Sequence, residues 1–127
     1  MINAPPIGPM AGKFWGKTRC IFSNDTTEIW EINIDKGGFC SEHFHDDKWN
    51  RFFISKGRLR VTIFLDGDDK ERVDETIMVS GDIVDVPPGM WHMFEALEDV
   101  EGIEVYWVDL SPMDITRRTQ GGMRDGS

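Results

Sequence analysis

The sequence predicts an all-β fold, an antiparallel sandwich or small barrel. Three observations point there. Apolar and polar residues alternate with a period of two in several segments, turn-forming residues fall between those segments at short intervals, and no segment sustains a helical stripe, a turn near 112–118 apart. The chain's 127 residues are one domain's worth. A chain of that size buries roughly two-thirds of its unfolded surface, enough for one core and not two. A hydrophobic fraction of 39% beside 29% charged residues fits a globular protein better than a disordered one.

Residues 1–12 carry three prolines and two glycines without periodicity, so an irregular arm is expected there. The domain proper is expected over 13–118 and a frayed tail over 119–127. Within the domain, Trp30, Ile32 and Ile34 alternate with Glu31, Asn33 and Asp35. Leu59, Val61, Ile63 and Leu65 alternate with Arg60, Thr62 and Phe64, and Ile103, Val105 and Trp107 with Glu104 and Tyr106. Shorter strand candidates are 14–22, 39–45, 50–55, 73–79, 83–86 and 91–96. The pairs Gly37-Gly38, Lys56-Gly57 and Ser80-Gly81, the acidic run at 66–69 and Pro87-Pro88-Gly89 supply the turns. The acidic run lacks the ligand spacing of a calcium loop and reads as a solvated hairpin turn.

Composition narrows the function classes. Twenty-three acidic residues against 14 basic ones give a formal charge of -9. Phosphate-backbone binding needs clustered lysine and arginine, so nucleic acid is not expected as a partner, nor is an anionic membrane surface. No apolar run reaches the ~20 residues that span a bilayer, and the first ten residues lack the pattern of a signal peptide. Cys20 and Cys40 are too few for a disulfide framework, and a reducing cytoplasm is the expected location.

The chemistry concentrates in three histidines. His43 and His45 are two residues apart, so a strand would turn both imidazoles to one face. His92 follows the rigid Pro-Pro-Gly turn by three residues. Neutral imidazole is a common metal ligand. Cys40 has the opposite strand parity to His43 and His45, which places it elsewhere as a small buried hydrophobe, and Glu42 and Glu95 likewise lack inward parity. No catalytic acid–base pair stands out.

Here a resemblance becomes specific. Gly37, five residues, His43-x-His45, four residues, Asn50, six residues and Gly57 are similar in every spacing to the first cupin motif. Gly81, five residues, Pro87-x-Gly89, two residues and His92 are similar to the second. The resemblance implies a double-stranded β-helix, the cupin jelly-roll barrel, with a divalent metal ion, commonly Mn, Fe, Zn, Ni or Cu, at the three histidines. The sequence departs from the pattern at Asn50, where the family has a glutamate ligand, and at Ala96, where it has asparagine. Asn50 either offers its amide oxygen to the ion or caps a loop by a side-chain hydrogen bond. The ion could otherwise rest on three histidines and water, or the site could be empty. A neutral oxygen leaves the site one unit more positive than glutamate would, which weakens metal affinity and favours an anionic ligand.

A finer resemblance runs to the cupin domain of type II mannose-6-phosphate isomerases. It rests on Phe14-Trp15-Gly16, the strand at 51–55, the stretch 83–92, Ile103-Glu104-Val105 and 114–117. Acidic Glu42, Asp46 and Asp47 beside the histidines suit a phosphate poorly. Trp49, next to Asn50, and Phe52 and Phe94, which share parity with Asn50 and His92, are expected to wall a substrate pocket. The expectation is a small metal-dependent enzyme, an isomerase, lyase or dioxygenase acting on a small sugar-like or carboxylate substrate. The alternative is a non-catalytic module that binds a sugar or other small ligand. Cupins are often dimers, and an edge at the N-terminal arm could pair across a two-fold axis to give a homodimer.

Overall fold

The computed structural model describes residues 10–66 and 69–108, the side chains of 69–71 excepted. The expected turn near 112–118 and the tail lie outside the described residues. Nine strands and no helix form there: β1 (Ala11–Lys13), β2 (Gly16–Ser23), β3 (Thr27–Ile34), β4 (Trp49–Lys56), β5 (Leu59–Asp66), β6 (Asp69–Met78), β7 (Ile83–Val86), β8 (His92–Ala96) and β9 (Val100–Trp107). All pairings are antiparallel. One sheet has the order β1-β2-β3-β9-β4-β7 and the other β6-β5-β8. Two facing antiparallel sheets make the jelly roll.

Two sequence expectations need correction. The end of the expected arm, Ala11 and Gly12, joins Lys13 in a strand paired with β2. The candidate strand at 39–45 is not a regular ladder. It touches β8 through two isolated bridges, Phe39 with Glu95 and His43 with His92. Hydrogen bonds from Gly37 N to Ala96 O, Cys40 N to Phe94 O and His43 N to His92 O tie this segment along the free edge of β8. It serves as a loose fourth strand of the smaller sheet, and its departure from regular pleating frees its side chains from strict alternation.

Cross-strand register sorts the interior of the large sheet into rows. At one end Glu28, Tyr106 and Asn50 stand side by side; the next row holds Trp30, Glu104 and Phe52; then come Ile32, Gly102 and Ile54, and last Ile34 and Val100. The smaller sheet repeats the trend along β8, from His92 through Phe94 to Ala96. Polarity therefore falls along the barrel. The apolar end is the core: Ile32, Ile34, Phe52, Ile54, Leu59, Val61, Met78, Val86, Phe94, Ala96 and Val100. Burying such side chains is worth about 1.5–3 kcal/mol each against leaving them in water. The polar end is left for chemistry.

Gly57, the last residue of the first motif, turns the chain between β4 and β5 at φ 92°. A Cβ there would stand 2.1 Å from the carbonyl oxygen of Asp99. The Gly57→Ala variant is therefore expected to lose at least about 1–3 kcal/mol of stability, the cost of a strained backbone, before the clash is counted. Urea unfolding measures it, and an unchanged midpoint would refute the reason given for glycine here.

Candidate metal centre

His43, His45 and His92 converge at the polar end of the barrel. Their potential ligand atoms lie within 4.8 Å of one another. Ring centroids are 4.4 Å apart for His43 and His92, 5.1 Å for His43 and His45, and 5.5 Å for His45 and His92. The backbone sets this arrangement. His43 and His92 exchange N–H···O bonds of 3.1 and 2.8 Å, and the Gly89 amide donates to the His45 carbonyl at 2.7 Å. The Pro-Pro-Gly turn thus fixes His92 through the chain and His45 through space.

The rings are also oriented. His43 Nδ1 donates to the Ser41 carbonyl at 2.7 Å and His92 Nδ1 to the Met90 carbonyl at 2.9 Å. A carbonyl can only accept, so these nitrogens carry the protons and the two Nε2 atoms keep free lone pairs. Such backing of the distal nitrogen is the usual support of a metal-ligating imidazole. Burial holds His92 down to about 4, with the Met90 carbonyl opposing and the other two histidines adding to the effect. Burial also lowers His45, helped by His43 and Lys48. Both imidazoles are therefore neutral at pH 7, the form that binds metal.

Among the described residues His45 Nε2, His92 Nε2 and the Asn50 amide oxygen are buried without a hydrogen-bond partner; the Asn50 amide nitrogen makes no well-formed bond either but lies near enough to Glu104 to act on its carboxyl. Asn50 is fully buried, on the row shared by Glu28 and Tyr106. Leaving such groups unpaired costs about 1–3 kcal/mol each. A divalent ion accepted by these nitrogens and the amide oxygen would remove much of that cost. The residues present fit such an ion.

A cavity of about 540 Å³ opens beside His43 and His45. Phe94 lines it, with Trp15, Trp30, Phe39, Cys40, Glu104 and Tyr106. The other two expected wall residues lie elsewhere. Phe52 is 1% exposed in the core, behind Phe94, with ring centroids 6.1 Å apart. Trp49 is on the outer face, because its neighbour Asn50 takes the inward position. There it stacks on Trp107 at 5.9 Å, and Arg51, bonded to both carboxylate oxygens of Asp85, covers that ring.

Cys40 does face the cavity, since its segment is irregular and the parity rule fails there. It is not part of the histidine group. Its sulfur accepts from the Phe94 amide at 3.2 Å, and burial pushes the thiol up to about 11. Glu42, Asp46 and Asp47 do not line the cavity; Lys13 and Lys48 do. Lys48 is tied to Glu28 at 2.7 Å and lowers that carboxyl's pKa.

Glu104 and Tyr106 are the residues sequence reasoning missed. The alternation at 103–107 reveals a strand but not which face is interior. Extending the strand back to Val100 settles it, because Val100, at 1% exposure, shares parity with both. Burial raises the Glu104 carboxyl, while the Tyr106 hydroxyl and the neighbouring Asn50 amide pull the other way. Burial and Glu104 together raise the Tyr106 hydroxyl.

The family profile described as cupin domain matches residues 30–109. The chain belongs to the cupin family. No curated protein matches this cupin. Solved structures share its fold: KdgF from Halomonas sp., with 14% identity, a TM-score of 0.68 and coverage of 81% of this chain and 90% of that one. The Cnp3 cupin domain of Schizosaccharomyces pombe gives 14%, 0.67, 80% and 69%. Bacillus subtilis oxalate decarboxylase, described with Mn(II) centres, gives 22% and 0.67 over 79% of this cupin but only 27% of its own chain. Among the described residues no helix is long and apolar enough to cross a membrane.

The His92 shift predicts a pH effect in the metal-free protein. The unfolded imidazole takes its proton near 6.5 and the folded one only near 4. The stabilising difference is whole above 6.5 and is lost as pH falls through that window. Glu104 shifts in the opposite sense, so the comparison must isolate His92. Between pH 7 and 4.5 the wild type is expected to lose about 1–3 kcal/mol relative to His92→Gln in urea titrations. Parallel curves would contradict the buried, neutral imidazole.

Proposed function

We propose that this cupin is a small metal-dependent enzyme acting on a small oxygen-rich substrate. A divalent ion would be held by His43, His45 and His92, with the amide oxygen of Asn50 or water completing the set. One observation carries the reading: three imidazoles converge, the buried ring nitrogens of His45 and His92 have no partner, and His43 and His45 line a cavity. A bound ion would supply Lewis-acid polarisation of a substrate oxygen, or oxygen chemistry if it were iron. Mn, Fe, Zn, Ni and Cu all suit imidazole donors.

The chain's own residues would do the rest. The aromatic walls exclude water and hold the substrate's body. Glu104, kept protonated more readily than an ordinary carboxyl, can hold a proton at its carboxyl oxygen facing the cavity, with Tyr106 beside it. Isomerisation, lyase chemistry, decarboxylation and dioxygenation are all compatible with this arrangement. A sugar phosphate, which the likeness to type II mannose-6-phosphate isomerases implies, is one member of the substrate class. A second reading is a barrel that binds a small ligand without turning it over. Asn50 and Ala96, in place of the motifs' usual glutamate and asparagine, favour it.

Elemental analysis of protein purified without chelator tests the metal reading. Stoichiometric transition metal is expected. His43→Ala and His92→Ala should each weaken retention by on the order of 100-fold, at least the cost of losing an outer-shell partner. Protein that carries no metal and takes none up at neutral pH would overturn the reading. Asn50→Glu, which restores a carboxylate, should slow metal loss during dialysis against chelator; an unchanged rate would remove Asn50 from the coordination sphere.

A further inference from the structure

Lys13 and the histidines line one cavity and offer it different chemistry. The histidines lie by the row of Glu28, Tyr106 and Asn50. Lys13 lies at the β1–β2 turn, where it pairs with Gly16, and Gly16 with Ile34. Glu28 and Ile34 are six residues apart on β3, about 20 Å at a strand's rise per residue. Lys13 and the imidazoles therefore line the cavity from different levels of the large sheet.

Between them the lining is aromatic. Trp15 stands edge-on to Phe94 with centroids 5.3 Å apart, and Trp30 and Phe39 complete this middle section. Of the polar groups at this level, the Glu104 carboxyl, beside Trp30, is open to a ligand, while others are engaged. The Thr18 hydroxyl donates to the Glu31 carbonyl, and the Cys40 sulfur accepts from Phe94. A sugar, which carries polar groups around its whole ring, would leave most of them unpaired against such walls. A flat apolar body would not.

The charged groups divide the same way. Lys48 is neutralised by Glu28 near the histidines. Lys13 is exposed, lines the cavity, and is in no ion pair among the described residues. A ligand reaching it should end in an anion.

We propose that the cavity binds an elongated aromatic acid, with an oxygen donor directed at the three histidines, a flat ring between Trp15, Trp30, Phe39 and Phe94, and a carboxylate at Lys13. The oxygen-donor end rests on the metal reading above; the ring and carboxylate ends do not. Lys13, Phe39 and exposed Phe14 at the rim set which acids fit.

The probe is 4-hydroxycinnamate, which has a phenol oxygen and a carboxylate at opposite ends of a planar body. Its comparators are 4-hydroxystyrene, which lacks the carboxylate, and mannose 6-phosphate, which has oxygens and an anion but no ring. Binding is read by calorimetry on zinc-loaded and on metal-free protein, zinc being inert to redox. The acid is expected to bind about fivefold tighter than 4-hydroxystyrene, the scale of a partly exposed ion pair. That gap should close to within about twofold in Lys13→Gln, whose zinc affinity stays unchanged. Phe39→Ala, a truncation at an exposed rim, should weaken both ring compounds and leave mannose 6-phosphate unaffected. Equal binding of acid and styrene, a gap that survives in Lys13→Gln, or tighter binding of mannose 6-phosphate would each overturn the proposal. Failure of zinc to bind, with ring preference and Lys13 dependence intact in metal-free protein, would overturn the metal reading alone and leave this inference standing.

Discussion

The structure of the site depends on one reciprocal contact, the pair of backbone hydrogen bonds between His43 and His92. It joins a segment that leaves the large sheet at β3 to the free edge of β8 in the smaller sheet. With the bonds of Gly37 and Gly38 to Ala96 and of Cys40 to Phe94, it fixes the segment 37–48, which forms no regular ladder of its own. With it, two motifs separated in sequence are locked in register, and the Gly89 amide adds His45 to the same frame. Side-chain convergence follows from backbone pairing, so it needs no metal to be built. Preorganisation of this kind lowers the ordering cost of binding an ion.

The barrel carries a polarity gradient along its axis, and that gradient separates stability from chemistry. Apolar rows at one end supply the core, while Asn50, Tyr106, Glu104 and His92 occupy the other. A fully buried asparagine without a well-formed hydrogen bond would be a poor choice for stability alone. Its row is that of Tyr106, whose ring meets His45 at 4.9 Å, so a role toward an ion there would give the expense a purpose. A neutral oxygen where the motif has a carboxylate would leave a metal centre there more cationic. The raised carboxyl of Glu104, on the neighbouring strand, does little to cancel that charge while protonated. Both features favour an anionic or oxygen-donating ligand.

Much of this was legible in the sequence. Period-two patterning found the strands, and histidine spacing in two ordered motifs found the centre, because both signals are local and repeat at known distances. What escaped depended on information one strand does not hold. Glu104 and Tyr106 lie in a strand with apolar residues at both parities, and the inner side shows only through buried Val100 at its start or register with β3 and β4. Trp49 was drawn to the pocket by adjacency to Asn50, although adjacency in a strand means opposite faces. Cys40 was excluded by a parity rule that its irregular segment does not obey. Lys13 went unnoticed, because an exposed lysine at the start of the expected domain gives no local sign that a cavity lies beside it.

The account stands or falls on imidazole nitrogens sharing one cation. X-ray absorption at the zinc edge of the loaded protein observes that coordination directly. It should show three imidazole scattering patterns with nitrogen at about 2.0–2.1 Å. A zinc shell of oxygen or sulfur without imidazole would contradict it.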